Sequence, residues 1–467
     1  MVSLPPPRIP SATRNTALLV AACFFMENLD ATVITTAAPQ MGTDLGVSPT
    51  SVGLLVSTYL VTIAALIPFS AWLSHRFQPR TVFLWAIAVF TAASVGCALA
   101  QDLPTMMGMR VLQGVGGAMM VPVGRTLVLA SAHKGHVVTL ISFIIWPGLL
   151  AFPLAPIVGA LVVTYASWPW IFLLNVPVGI AALVAGTSIL PRLPHTEPAP
   201  PLDIAGLTLT VVALATLTTA ASLLSEGTGS ARLAAAACAT IGAVTGAAAV
   251  RHLLRADHPL VDIRVFTIRS FGVSQAAMML FLIAVGATPY LLPLLLQLGY
   301  GWSALMAGAV TVSVFLGNIA AKPATTALMR RYGARSVALA ACLGLAVSTA
   351  ALGLVPTSTS VPVLFAIGVA AGAFRSIGLS AYATVTMADV TQARLRSANA
   401  LTSTVLQLGM GYGIAAAAIA LAAGTAFTSG IHATYATAFV VTGACAGLAG
   451  IVTIGLRRET GQALLMH

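Results

Sequence analysis

The chain has 467 residues, of which 58% are hydrophobic and only 7% charged, with a mean hydropathy of +0.97. A water-soluble domain carries roughly a quarter charged residues to cover its surface, so a soluble fold is excluded and most of this surface must meet lipid. The net charge of +11 would by itself suit a nucleic-acid binder, but its placement along the chain argues otherwise.

In lipid every backbone polar group must be satisfied internally, which leaves helices or closed barrels, and the alternating ten-residue strands of a barrel are missing. A crossing helix needs about 20 apolar residues. Windows of that kind fall near 15–38, 51–74, 80–101, 104–131, 137–164, 168–191, 203–225, 231–253, 269–297, 302–328, 335–356, 359–388, 398–422 and 431–456. Residues 1–14 form a Pro-rich, mildly basic tail. The run that follows holds Glu27 and Asp30 and has no small-residue cleavage site, so it reads as a first span rather than a signal peptide. The expected fold class is an all-α membrane protein of 14 spans.

An even number of spans puts both termini on one side. With that side inside, 17 of the 22 basic residues fall in inner loops or tails and one, Arg232, in an outer loop; the other four lie within spans. This is a positive-inside pattern with both termini cytoplasmic, and it accounts for the basic charge without nucleic acid. The five cysteines lie in apolar runs without C-x-x-C spacing and read as small buried hydrophobes. No cofactor and no metal site is expected.

Matching basic loops, R-F-Q-P-R at 76–80 and R-Y-G-A-R at 331–335, suggest duplicated halves. The expected organisation is a cytoplasmic tail 1–14, a six-helix half 15–191, a central segment 192–268 with two extra spans, a second six-helix half 269–456 and a cytoplasmic tail 457–467.

A charge in the bilayer core is costly unless paired or hydrated, so it marks function by default. Glu27 and Asp30, at i and i+3, share one face of the first span. At 1.5 Å per residue Asp30 lies roughly 22 Å from the inner end of its span and Arg110 roughly 9 Å from the outer end of the fourth. In a core of about 30 Å these depths nearly coincide, so acid and base can pair. Such a pair can serve proton coupling or act as a structural clasp. Arg375, in the window 359–388, is a pathway candidate, with a clasp to Glu27 or Asp30 as the alternative. Arg125 and Lys322 sit nearer inner ends, where snorkelling accounts for them. Glycines at 114–117 and 409–413 permit close helix approach, and Pro147, Pro153 and Pro156 predict bending in the fifth span.

At these residues the chain resembles the major facilitator superfamily, specifically its fourteen-span drug:proton antiporters. L-D-A-T-V-I-T-T-A-A-P (29–39) is similar to that family's L-D-x-T-x-x-x-x-A-L-P. Arg110, Gln113, Gly114, Gly116 and Gly117 fill R-x-x-Q-G-x-G-G, and W-P-W-I-F-L-L-N-V-P-V-G (168–179) matches W-x-W-I-F-x-x-N-x-P-x-G. Two motifs depart from it. In the loop after the second span Ala71, His75 and Gln78 replace Gly, Asp and Gly while Arg76 and Arg80 remain. In the fifth span A-P-I-V-G-A (155–160) replaces G-P-x-x-G-G, keeping Pro156 and Gly159.

The resemblance implies two six-helix halves plus two central helices and a secondary active transporter, not an enzyme. It implies export of a small solute, drugs or other amphipathic compounds, in exchange for protons by alternating access. The implied roles are proton coupling for Asp30, Glu27 and Arg110; a substrate pathway with Arg375, Gln113, Asn175 and Gln297; and gating or hinge roles for Arg76, Arg80, Gly114, Pro153, Pro156 and Gly159. Expected partners are protons, a small-molecule substrate and the lipid bilayer, in a monomer of the bacterial inner membrane, with a periplasmic adaptor as an open addition. An anionic metabolite such as an organic acid is the alternative cargo, and a transport-dead sensor the alternative role. A primary pump is disfavoured, because neither lysine can complete a phosphate-binding G-x-x-x-x-G-K-[ST]. Neither H-E-x-x-H nor G-x-S-x-G occurs to support an intramembrane enzyme.

Overall fold

A computed structural model describes residues 10–130, 137–192, 201–226, 229–427 and 430–457. Among the described residues, fourteen helices are long and apolar enough to cross a membrane. Spans 1 to 5 are Ser11–Asp44, Pro49–Arg76, Pro79–Leu99, Leu103–Ala130 and Val137–Tyr165. Span 6 joins two consecutive helices, Pro169–Leu173 and Asn175–Ile189. Spans 7 and 8 are Ile204–Glu226 and Gly229–Arg255. Spans 9 to 14 are Arg269–Leu294, continued by a π-turn at Leu295–Gly299, then Ala304–Tyr332, Ala334–Leu354, Val361–Met387, Leu395–Phe427 and Ile431–Ile454.

Local chemistry sets several of these ends. Ser48 accepts the Ser51 N–H at 3.2 Å with Pro49 as the first helical residue of span 2, and Ser303 accepts the Met306 N–H at 3.3 Å to start span 10. A hydroxyl acceptor satisfies a donor that the first helical turn leaves free, and proline is preset for that position. Gly333, at φ +81°, turns the chain between spans 10 and 11; a side chain there would be strained. Span 5 runs on as one helix through Pro147, Pro153 and Pro156. Each proline lacks the N–H that would bond four residues back, so the carbonyls of Phe143, Leu149 and Phe152 lose their helical donors.

The same neighbour pattern occurs twice. In the first half span 1 packs on 5 and 6, span 3 on 4 and 6, and span 2 on 4; in the second, span 9 packs on 13 and 14, span 11 on 12 and 14, and span 10 on 12. Spans 5 with 10, 2 with 13, and 1 with 9 make the main contacts between the halves. The central hairpin is asymmetric, because span 7 packs against both span 2 and span 13 while span 8 packs mainly on span 7.

That hairpin is tied down just outside the membrane-spanning part. The buried Asp203 carboxylate accepts the Gly206 and Leu260 N–H groups at 2.8 and 3.2 Å and meets His252 Nε2 at 2.7 Å. Burial pushes this carboxyl up, but the three hydrogen bonds outweigh it and hold it below the usual carboxylate range.

Candidate functional site

Asp30, in the middle of span 1, and Arg110, on span 4, meet at 2.5 Å with neither side chain exposed. Arg110 Nη1 donates to Asp30 Oδ2 and, at 2.6 Å, to Gln113 Oε1 one turn along its own helix. Asn175, at the start of the second part of span 6, donates to Asp30 Oδ1 at 2.7 Å. Gln113 Nε2 approaches the same oxygen at 3.4 Å and donates to Ser94 Oγ at 2.7 Å. From span 3, Cys97 Sγ lies 3.3 Å from Gln113 Oε1. From span 2, Leu55 offers its carbonyl to Arg110 Nε at 3.4 Å, and the Tyr59 ring lies 4.5 Å from the guanidinium carbon. Phe172 flanks the same guanidinium at 5.7 Å. One acid and one base thus draw in groups from all of spans 1, 2, 3, 4 and 6.

A buried ion pair is tolerated only where its remaining hydrogen-bonding capacity is largely met. That condition nearly holds here: Arg110 Nη2 is the one nitrogen of this guanidinium without a hydrogen-bond partner among the described residues. Gln113 and Asn175, expected along a substrate pathway, are buried and held on Asp30. Their amide groups are occupied by that carboxylate and its neighbours.

Glu27 lies one turn from Asp30 and is also buried. Its Oε2 has no hydrogen-bond partner among the described residues, and neither has the Tyr59 hydroxyl. Both face the bare side of Gly117, where a Cβ would lie 3.1 Å from the Tyr59 hydroxyl and 3.5 Å from Glu27 Oε1. Tyr59 therefore spans the interval between the ion pair and the second carboxyl. Arg125, over the Phe24 ring at 5.7 Å, is a further charged neighbour of Glu27.

Tyr59 and Ser94 carry no signal of their own in the sequence, where each lies in an apolar run, and Cys97 reads there only as a small buried hydrophobe. Ser94 and Cys97 stand three apart, as do Arg110 and Gln113, and that matching spacing was the available signal. Gly114 carries no site chemistry of its own; a Cβ there would lie 2.6 Å from Thr62, so it sets the close packing of span 4 on span 2.

The second group of expected residues joins the halves. The opposite end of the bundle is the one away from the basic loops at 76–80 and 331–335. There, Gln297 Nε2 donates to the Thr36 carbonyl at 3.1 Å, and the Tyr290 hydroxyl to the Thr50 carbonyl at 2.9 Å. Gly308 of span 10 faces Pro156 of span 5 so closely that a Cβ would lie 2.7 Å from its carbonyl oxygen. Gly159 packs span 5 on span 1 at Val33, and Pro153 of the same span is buried. Further along, Ser57 Oγ donates to the Gly411 carbonyl at 2.9 Å, joining spans 2 and 13. Arg76 is exposed at the basic end, and Arg80 ties span 3 to the Thr187 carbonyl of span 6. The His75 side chain lies outside the described residues. Arg375 is buried in span 12 and forms no ion pair among the described residues, so the alternative to a pathway role, a clasp to Glu27 or Asp30, is not made.

Two packed six-span halves, the first of them enclosing a buried acid–base pair, are the architecture of a membrane carrier. The family model described as Major Facilitator Superfamily matches residues 20–414 and 275–463. The chain is 35% identical over 400 residues to "Putative multidrug resistance protein MdtD" of Escherichia fergusonii, covering 86% of this chain and 84% of that one. A protein of the same name from Escherichia coli is 34% identical over the same shares. The chain belongs to the major facilitator superfamily of transporters, which are not enzymes. Among solved structures, the nucleoside transporter NupG is similar at a TM-score of 0.69 and 11% identity, over 95% of this chain and 99% of that one. An inward-facing bacterial homolog of the human lysosomal transporter Spinster is similar at 0.68 and 14%, over 96% and 98%. At these identities the likeness concerns the fold.

Proposed function

We propose that this chain is a secondary active exporter of the bacterial cytoplasmic membrane, exchanging inward-moving protons for a small amphipathic solute by alternating access. The observation that carries the reading is the buried Asp30–Arg110 pair with its shell of Gln113, Asn175 and Ser94. Such a pair has two low-cost forms, a bonded ion pair and a protonated carboxyl with the base released to another partner. Intermediate forms leave a charge buried alone, which costs several kcal/mol. A proton arriving at Asp30 therefore favours a discrete rearrangement of spans 1 and 4. We assign Gln113 and Asn175 to this proton site, with Glu27 and Tyr59 as its extension.

With the termini cytoplasmic, as the basic loops favour, the contacts of Tyr290 with Thr50, Gln297 with Thr36 and Gly308 with Pro156 close the outer end. The solute would pass between the halves, along spans 1, 5, 9 and 10. Both halves lie in one chain, so a monomer suffices. The name of the curated relatives supports drugs among the solutes.

The test is reconstitution into proteoliposomes with an imposed pH gradient. A transported solute should accumulate against its own gradient and collapse the pH difference, read with an entrapped pH dye. Solute flux with no accompanying proton movement, across a screen of cationic, neutral and anionic compounds, would refute antiport.

A further inference from the structure

Arg375 is only 5% exposed, yet it forms no ion pair among the described residues, and its enclosed Nε has no hydrogen-bond partner there. Charge balance within its own half cannot help it. Between residues 269 and 456 the sole acidic residue is Asp389, which lies beyond the end of span 12. One contact is made: the guanidinium carbon lies 5.6 Å from the centre of the Phe315 ring on span 10. A cation over an aromatic face gains about 0.5–2 kcal/mol, less than the several kcal/mol that burying an unpaired charge costs. The Arg375 charge is therefore not offset by the groups that this half supplies.

Phe315 has a second neighbour. Phe152 of span 5 stacks on it at 5.9 Å with the rings 14° apart, so the aromatic pair bridges the two halves. Its level in the membrane follows from span 5, which touches Asn28 at Gly148 and Val33 at Gly159. Phe152 lies between those contacts, beside the turn of span 1 that carries Asp30. When the halves part at this level, Phe315 loses its ring partner and presents an aromatic face next to an unneutralised guanidinium.

We infer that Arg375 and Phe315 form the cargo site, and that the cargo is an aromatic monocarboxylate whose ring stacks on Phe315 while its carboxylate takes the guanidinium. This inference rests on the reading that solute passes between the halves. A planar guanidinium binds a carboxylate through two parallel hydrogen bonds, and one guanidinium with no neighbouring acid neutralises one negative charge. Lys322 lies two turns along span 10 from Phe315, toward the basic end, bonded to Ser380 Oγ at 3.2 Å. It extends the positive potential along the route an anion would take from the cytoplasmic side. An organic cation with the same ring meets like-charge repulsion at Arg375.

The experiment measures equilibrium binding to the purified full chain in lipid nanodiscs, with no pH gradient. The probe is radiolabelled 2-naphthoate. The competitors are 2-naphthylmethylammonium, with the same ring and opposite charge, and cyclohexanecarboxylate, with the same charge and no aromatic ring. Saturable 2-naphthoate binding that the ammonium does not displace, and that cyclohexanecarboxylate displaces weakly, is the expected result. Arg375→Gln should weaken binding by at least about tenfold, Arg375→Lys should restore part of it, and Phe315→Leu should weaken it by about three- to tenfold. Without ligand, Arg375→Gln should melt at or above the wild-type temperature, since it removes an uncompensated charge.

Unchanged 2-naphthoate affinity in Arg375→Gln, displacement by the ammonium, or no saturable binding to wild type would overturn the inference. So would a lower melting temperature or failure to fold in Arg375→Gln, which would show that the native charge is already compensated. Asp30→Asn separates the two readings: it should keep 2-naphthoate binding while losing proton-coupled flux. Proton-coupled export of other solutes without 2-naphthoate binding would remove the cargo class and leave the antiport.

Discussion

Replacing Asp30 by Asn keeps the size of the side chain but removes the charge facing Arg110 Nη1 at 2.5 Å. Arg110 stays fully buried, with Gln113 Oε1, the Leu55 carbonyl and two aromatic rings as its remaining contacts. Removing one member of a buried pair costs about 3–5 kcal/mol, because the other charge is left uncompensated. The retained amide contacts place Asp30→Asn toward the lower end of that range. Arg110→Gln leaves a carboxylate that Asn175 still donates to at 2.7 Å, so its cost is of the same order. The double variant buries no charge, and its cost should fall short of the sum of the singles by about 2 kcal/mol or more, the signature of a direct interaction in a double-mutant cycle.

The assay pairs apparent melting temperature in detergent with flux in proteoliposomes. Both single variants should lose solute accumulation driven by a pH gradient. The double variant should regain stability without regaining coupling. Additive losses in melting temperature would refute the pairing argument, and full proton-coupled transport by Asp30→Asn would refute the coupling role.

Tyr59→Phe removes a buried hydroxyl that has no partner among the described residues and keeps the ring on Arg110, so stability should hold or rise by about 1 kcal/mol. Tyr59→Leu loses the ring and should cost about 2–3 kcal/mol; equal melting temperatures for the two would contradict the assigned packing. Gly308→Val puts methyl groups against the Pro156 carbonyl, which a Cβ already approaches to 2.7 Å. An overpacking cost of about 1–3 kcal/mol would fall on the state closed at the opposite end. Distances between spin labels at Thr43 and Leu305 should lengthen, and an unchanged distribution would count against that closure. Asp203→Ala removes the carboxylate that caps span 7 and holds Leu260, at a cost of about 1–2 kcal/mol near neutral pH. Because the folded carboxyl is held below the ordinary value of about 3.9, its contribution is present above that value and is lost as pH falls through the lowered one. The melting difference between Asp203→Ala and wild type should therefore shrink at acid pH, and a constant difference would rule out the ionised cap.

Hydropathy determined by itself where the chain crosses the membrane, because the bilayer imposes one length scale on every span. It also located Glu27, Asp30, Arg110 and Arg375 as the charges the lipid should have excluded, and the 1.5 Å rise gave Asp30 and Arg110 a common depth. These are all positions along the membrane normal, which residue spacing reports directly. The direction in which each side chain faces around its helix, and which span it meets there, is set by packing. Asn175 reaches Asp30 across 145 positions of sequence, and Tyr59, Ser94 and Cys97 gain their meaning only from spans 2 and 3 closing on span 4. Nor could spacing show that span 7 would pack against both span 2 and span 13, or that Arg375 would find an aromatic ring instead of an acid. Tertiary structure decided those neighbours, because packing choices among small residues such as Gly114 and Gly117 bring distant helices into contact and leave the hydropathy pattern unchanged.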